Sequence, residues 1–573
     1  MTVMRYTVAM PYPESHLFEV ILHISNEELS QVIDLKMPVW TPGSYLVREY
    51  SRHLQGFQVM DGEQQSLSWQ KVSKSHWQIQ AAGVLELIVK YQIFANDLSV
   101  RTNHLDITHG YFNGAALFFY IPGREKHPIE VTIHPPKNWH ITTVLPKLET
   151  TVNTFIAEDF DTLVDSPFEI GTHQVYEFEV LGKTHQLAIW GQGNADPEPM
   201  IADMEKIIAT EAKLFGGLPY DHYLFLLHLS GQGFGGLEHK FCCSLNYPRL
   251  GFRQGEKYER FMQLVAHEFF HLWNVKRIRP KALEVFDYDQ ENYTPSLWFS
   301  EGTTSYYDLM FPLRAGIYDR KTCLQSLSRE ITRYLTTPGR YVQSVTESSW
   351  DAWIKLYRRD ANSDNCQISY YLKGEMISLL LDLLIRAKFS NQRSLDDVMV
   401  KMWREFGQDE IGFTPADLKG VIESVAGEDL TEFWQQYLDG TDDLPFDQYL
   451  EPFGLILKAD DPGNSCYLGI KVASEGGREI IKFVESCSPA QQAGINPDDQ
   501  LLAINGIRIT ADQLNERLKD FQAEEEIEVT IFHQDQLRTV AVTLGVARPT
   551  NYQLVPAPGL REEQSRNLEG WLS

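Results

Sequence analysis

At 573 residues the chain is too long for a single core, and about three or four domains are expected. With 43% hydrophobic, 12% aromatic and 23% charged residues it is ordinary globular protein, which excludes collagen-like, low-complexity and wholly disordered chains. The 78 acidic against 51 basic side chains leave a formal charge of −27, which opposes binding to nucleic acid or to an anionic membrane surface. The N-terminal residues Met1-Thr2-Val3-Met4-Arg5-Tyr6-Thr7 alternate like a strand and lack the apolar core of a signal peptide. The longest apolar runs, such as 223–227 and 379–381, fall far short of the about 18 residues that span a bilayer. Six scattered cysteines (Cys242, Cys243, Cys323, Cys366, Cys466, Cys487) form no CxxC pair and read as reduced core thiols. A cytoplasmic protein with no nucleic-acid and no membrane partner is expected.

From residue 1 to 175, short alternating runs such as Ile129-Glu130-Val131-Thr132-Ile133 sit between Gly, Pro, Asn and Asp punctuation and predict a β-sandwich. Near residue 197 the period changes to 3.6, with Met200, Ile201, Met204, Ile207, Ile208 and Phe215 spaced for one helix face. Residues 176–290 are expected to form an α+β part, with the strand-like run 223–229 entering the glycine-rich segment 230–236. Helical patterns then dominate 291–455. From 460 to 546 the order is β again: Tyr467-Leu468-Gly469-Ile470, Ser488-Pro489-Ala490 with Ala493-Gly494-Ile495, then Ile504-Asn505-Gly506 and two closing strands. This order resembles a PDZ domain of the kind that accompanies bacterial proteases. In such a domain, successive N–H groups of Leu468, Gly469 and Ile470 would form a nest for a peptide's C-terminal carboxylate; a structural spacer with a disused groove is the alternative. Residues 547–573 are expected to be a tail, either loose or strapped back.

The strongest chemical signal is His267-Glu268-Phe269-Phe270-His271, within a run whose Phe261, Leu264, Val265 and Phe269 carry a helical period. Histidines at i and i+4 stand on one helical face with Cβ atoms about 5–6 Å apart, so both imidazoles can share one zinc ion. Glu268, turned about 100° from His267, can reach a metal-bound water as general base. A catalytic zinc keeps three protein ligands and one open position, so a third ligand is sought downstream, and Glu301 is the best candidate. Asp308, seven residues later and two turns along the same face, is placed to orient a zinc-bound histidine. A solvated helix carboxylate is the other reading.

The glycine-rich Gly231-Gln232-Gly233-Phe234-Gly235-Gly236 fits a dinucleotide fingerprint, but residues 237–245 end apolar and β-like instead of opening a crossover helix, so that reading fails its context.

The strings His267-Glu268-Phe269-Phe270-His271-Leu272-Trp273 and Trp298-Phe299-Ser300-Glu301-Gly302 resemble the gluzincin metallopeptidases, the superfamily of aminopeptidase N and thermolysin, in which a glutamate on a second helix completes the site. Here 29 residues lie between His271 and Glu301, more than is usual in aminopeptidase N relatives. That spacing, the β-rich N-terminal region and the PDZ pattern together resemble the glycyl aminopeptidase family across nearly the whole chain. The resemblance implies a thermolysin-like zinc domain between the sandwich and the PDZ domain, one catalytic zinc ion, peptide substrates and a preference for small first residues such as glycine or alanine. Gly235-Gly236-Leu237-Glu238-His239 resembles the exopeptidase motif, which implies that Glu238 binds the substrate's free ammonium while Gly235 and Gly236 let its backbone approach closely. Leu237 and His239 depart from that motif. Tyr370-Tyr371-Leu372-Lys373-Gly374 matches the Tyr-x-Lys-Gly signature when Tyr371 is taken as the oxyanion donor, with Tyr370 as the fallback. A zinc endopeptidase without amine anchoring and a peptide-binding adaptor working through its PDZ domain are the competing functions.

Overall fold

The structure, a computed structural model, describes residues 3–25, 30–461 and 466–573. Met1 and Thr2, where the sequence predicts the first strand to begin, and 462–465, on the approach to the PDZ-like region, lie outside the described residues. The chain divides into two compact units. The first comprises Met1–Thr294, Met310–Tyr318 and Met399–Leu418, the second Pro295–Leu309, Asp319–Val398 and Lys419–Ser573.

In the first unit the N-terminal region is β-rich. Six strands run in the order Thr154–Ala157, Ile129–His134, Val3–Ala9, Leu17–Ser25, Glu86–Phe94 and Leu54–Asp61. Alternation sets their faces: along Leu17–Ser25 every second residue is buried. A three-stranded sheet, Val32–Lys36 with His76–Gln80 and Trp69–Ser73, turns Ile33, Leu35, Trp77 and Ile79 into the same core as Val20 and Leu22. Two inner faces sharing one core make the sandwich that the alternating pattern predicts. A four-stranded sheet ordered His140–Thr142, Phe168–Gly171, His109–Phe112 and His104–Asp106 comes next.

The sheet that carries the chemistry runs Gln174–Val180, Lys183–Trp190, His222–Ser230, Cys242–Pro248 and Gly235–Glu238. Helix Pro197–Phe215 is the crossover between the parallel strands Lys183–Trp190 and His222–Ser230, with proline at its start and Gly216 closing it in the left-handed region. His222–Ser230 is buried along almost its whole length, which explains why its sequence is a continuous apolar run and not an alternation. Gly235–Glu238 is the sheet's edge, paired antiparallel with Cys242–Pro248. Helix Glu256–Phe270 comes after it, and Phe215 of the crossover helix stacks on Trp273 just beyond its end, ring centroids 4.4 Å apart.

In the second unit a π-helix, Trp298–Thr303, runs directly into helix Thr304–Arg314. The apolar helix Tyr370–Phe389 is buried on nearly every face. The two meet backbone to backbone: a Cβ on Gly302 would lie 2.5 Å from the Cα of Gly374. The PDZ sheet has six strands: five run in the order Ile470–Glu475, Arg478–Val484, Gln500–Ile504, Glu526–His533 and Gln536–Thr543, and the short Ile507–Arg508 pairs with Gln500–Ile504, around a core that includes Ile481, Ile504 and Val529. Ser488 caps the short helix Pro489–Gln492, which is what Ser-Pro-Ala encodes. Strand Leu455–Ala459, just before this module, pairs antiparallel with Tyr552–Pro556, just after it. The closing helix Glu562–Trp571 buries Trp571, whose Nε1 donates to the Tyr306 hydroxyl at 2.9 Å; Tyr306 in turn donates to Asp382. Of the two forms open to the last stretch, it takes the strap. Among the described residues no helix is long and apolar enough to cross a membrane.

Candidate active site

Helix Glu256–Phe270 ends within the motif, so His267 lies in its last turn and His271 is the first residue past it, still helical in backbone. The two imidazole centroids are 4.7 Å apart. His271 is buried, and its Nδ1 lies 2.6 Å from the Asn274 carbonyl oxygen. A carbonyl only accepts, so Nδ1 carries the proton and Nε2 keeps a lone pair for a metal. Sequence reasoning assigned the orienting of such a histidine to Asp308; for His271 a backbone carbonyl does it, and no side-chain pattern signals that.

Glu268 is buried against the edge strand, where a Cβ on Gly236 would fall 2.2 Å from its Oε1. Glu238, at the end of the same strand, is also buried, and its Oε1 makes no hydrogen bond among the described residues. A Cβ on Gly43 would lie 2.6 Å from both oxygens of Glu238, so the N-terminal turn Thr41-Pro42-Gly43-Ser44 is packed directly on that carboxylate. Gly43 went unnoticed in the sequence because its contact is set by tertiary structure. Carboxylate oxygens of Glu238 and Glu268 and a ring nitrogen of His271 lie within 4.8 Å of one another. Two buried carboxylates and an imidazole this close are acceptors with few donors around them, so the set suits a metal ion or an ammonium group. Glu238 and Gly43 also line a cleft of ≈ 200 Å³ together with Trp40, Tyr45, Phe241 and Lys276.

His239, which departs from the exopeptidase motif, is turned to Asp165: its Nδ1 is 3.1 Å from Oδ1, and Lys276 Nζ is 2.7 Å from the same oxygen. Burial acts to raise the Asp165 carboxyl, but Lys276 and His239 outweigh it and hold the group well below the usual carboxylate range. Arg101 Nη2 donates to the Gly236 carbonyl at 2.9 Å, so one acceptor of the edge strand is engaged by a side chain from the N-terminal region.

In the second unit Glu301 is buried within the π-helical turn Trp298–Thr303. A π turn holds more residues than an α turn, so the strict seven-residue face relating Glu301 to Asp308 does not run through it; Asp308 sits partly exposed on the following α-helix. Tyr370 and Tyr371 open helix Tyr370–Phe389, with their rings stacked at 4.7 Å. Burial and the nearby Glu301 carboxylate push the Tyr371 phenol up, which keeps it a proton donor. Its hydroxyl lies 3.0 Å from that of Tyr357, a partner that the signature does not contain. The Gly302–Gly374 contact is what brings Glu301 and Tyr371 together.

The PDZ module presents its edge strand Ile470–Glu475 after Gly469, which sits at φ 84 with no room for a Cβ against Ser488. A groove of ≈ 490 Å³ is lined by Leu468, Ile470, Phe483, Leu514 and Leu518 and by charges of both signs, Lys471, Lys519 and Arg548 with Asp460, Asp461 and Glu485.

Residues 5–172 match the model of the Peptidase M61 N-terminal domain, 260–377 that of the M61 glycyl aminopeptidase, and 466–544 that of a PDZ domain. The chain is similar over 100% of both lengths to an aminopeptidase N family protein from Idiomarina loihiensis, at 31% identity and a TM-score of 0.93. An M1 zinc metallopeptidase from Deinococcus radiodurans is 12% identical, with a TM-score of 0.48, over 78% of this chain and 94% of that one. No protein with a curated description matches. The fold and the site define a multidomain metallopeptidase, a hydrolase of the aminopeptidase class. Within that class, the chain belongs to the M61 glycyl aminopeptidase family, joined to a PDZ domain.

Proposed function

We propose that this chain removes the first residue from peptides with a free amino terminus, preferring small residues such as glycine and alanine, and that it uses one zinc ion held by His267, His271 and Glu301. When bound, the ion supplies Lewis-acid polarisation of the scissile carbonyl and acidifies the attacking water. Glu268 takes the proton of that water and delivers it to the leaving amine. Tyr371 donates to the oxyanion of the tetrahedral intermediate, with Tyr357 fixing the direction of its hydroxyl. Glu238 receives the substrate ammonium, Gly235 and Gly236 admit the substrate backbone, and Asp308 serves to orient His267. At the PDZ module, the N–H groups of Leu468, Gly469 and Ile470 receive a peptide C-terminus. Domain limits of 1–175, 176–290, 291–455 and 460–546, with a tail at 547–573, accompany this reading. Six free thiols suit a reducing compartment, in keeping with a cytoplasmic location.

One observation carries the exopeptidase reading: the buried Glu238 oxygen that makes no hydrogen bond among the described residues, within 4.8 Å of donors from Glu268 and His271. An uncompensated carboxylate there costs stability unless the substrate brings the missing cation. The test compares alanyl amide with N-acetyl-alanyl amide. Cleavage confined to the free amine is expected, and equal cleavage of both would remove Glu238 as anchor.

A further inference from the structure

Apart from the peptidase site, the first unit holds a second convergence of ligating side chains. Glu169 lies on strand Phe168–Gly171, His109 on the neighbouring strand His109–Phe112, and His228 on the central strand His222–Ser230 of the next sheet. All three are buried, and their donor atoms lie within 4.8 Å of one another. His109 Nε2 is 2.7 Å from Glu169 Oε1, and His228 Nε2 is 2.8 Å from Oε2. His173 Nδ1 stands 3.7 Å from Oε1. Among the described residues, the ion-pair partners of Glu169 are histidines, never a lysine or arginine.

The hydrogen-bond geometry leaves this cluster incomplete. His109 Nε2 and Glu169 Oε1 are close, yet the ring's N–H direction misses the oxygen, and both atoms make no hydrogen bond among the described residues. The Nδ1 atoms of His173 and His228 are in the same condition. Each such buried group costs stability if nothing meets it. Two imidazoles and one carboxylate are the donor chemistry of a borderline divalent ion, for which metal–ligand distances run about 2.0–2.2 Å. Accepting one requires Glu169 to withdraw slightly from hydrogen-bond range of the two rings. The half-buried Trp190 stacks on His109 at 4.0 Å, and the three protein donors leave one position of a tetrahedral shell for a further ligand.

We infer that His109, Glu169 and His228 form a second zinc site, which ties the N-terminal strands to the central strand of the catalytic sheet. Its mechanical meaning comes from the chain path: His228 lies two residues before Ser230, where the chain leaves that strand for the glycine-rich segment and then Glu238. The site is independent of the peptidase reading.

The test uses the untagged full chain, stripped with chelator, reloaded with Zn2+, desalted and assayed for zinc by plasma mass spectrometry. Two ions per chain are expected for the wild type and one for the His267→Ala/His271→Ala double variant. Adding Glu169→Gln to the double variant should take the count from one to zero, with the far-ultraviolet spectrum preserved. A double variant that keeps none overturns the inference and leaves the peptidase reading standing. One ion in the wild type and one in the double variant would sink the peptidase ligand set instead. Zinc retained in the triple variant would also overturn the inference, since the ion would then sit elsewhere. Should Glu169→Gln fail to fold, the count in the double variant alone decides.

Discussion

Strand Gly235–Glu238 in the first unit and strand Ile470–Glu475 in the second are both sheet edges, each adjoining a glycine with positive φ, Gly235 at 135 and Gly469 at 84. What surrounds them differs. The first is walled by the buried carboxylates of Glu238 and Glu268, crowded against glycines that leave no space for a side chain. The second borders a groove with apolar lining residues, and its charges are of both signs, the exposed Lys471, Lys519 and Arg548 beside Asp460, Asp461 and Glu485, with Arg548 paired to Glu485. One backbone device thus serves two kinds of selection. A buried charge discriminates strongly because leaving it unmatched is costly, whereas a rim charge is screened and steers weakly. On the proposed reading, the two edges take opposite ends of a peptide, the ammonium and the carboxylate.

The sharpest break of this contrast is Glu268→Gln. It should keep the fold and the bound zinc but lower kcat by about 10²–10⁴-fold on an alanyl p-nitroanilide, the range of general acid–base catalysis. Activity near wild type would take the proton transfer away from Glu268. Tyr371→Phe should lower kcat by about 10²–10³-fold with KM nearly unchanged, because an oxyanion donor acts in the transition state; a change confined to KM would assign it to binding.

Lys373 tests whether burial governs the weight of a charge within the second unit. Burial, offset in part by Asp443 and Asp442, depresses its ammonium from 10.5 to about 8. Between those values the unfolded chain binds the additional proton, so this group makes stability rise with pH through that window, while below pH 8 its full cost is present. Lys373→Met should therefore be the more stable chain at about pH 7, by up to about 3 kcal/mol, with the gap to wild type narrowing at about pH 9.5 in urea unfolding. A gap that does not change with pH would show that the charge carries no such cost. Glu238→Gln removes one charge-assisted bond of about 1.5–3 kcal/mol and should reduce kcat/KM for free-amine substrates by about 10–150-fold. An equal loss on an acetylated substrate would contradict ammonium binding. The smallest effect is expected at the rim: Arg548→Ala should weaken a C-terminal peptide by less than about tenfold, and high salt should erase the difference.

Local rules made part of this molecule legible. The period of 3.6 marked the helix Pro197–Phe215, and the i, i+4 histidines and the Ser-Pro-Ala cap announced their own geometry. The reach of that reasoning ends where partners are distant in sequence. Gly43 against Glu238, Arg101 on Gly236 and Asp165 on His239 bring turns and a helix end of the N-terminal region onto the edge strand and the residue after it, and nothing in a spacing encodes them. The π turn at Glu301 is a second feature that spacing does not encode, because spacing rules assume an unbroken 3.6-residue period.

The PDZ module is inserted between two strands, Leu455–Ala459 and Tyr552–Pro556, that pair with each other. Their closure is a nonlocal event whose entropic cost falls when the intervening residues have already folded into a body with its ends side by side. Helix Glu562–Trp571 follows this strand pair and bonds Tyr306, five residues beyond Glu301, so the folded module supports, through the strand pair it closes, the packing of the helix that carries Glu301, whether or not a peptide occupies its groove.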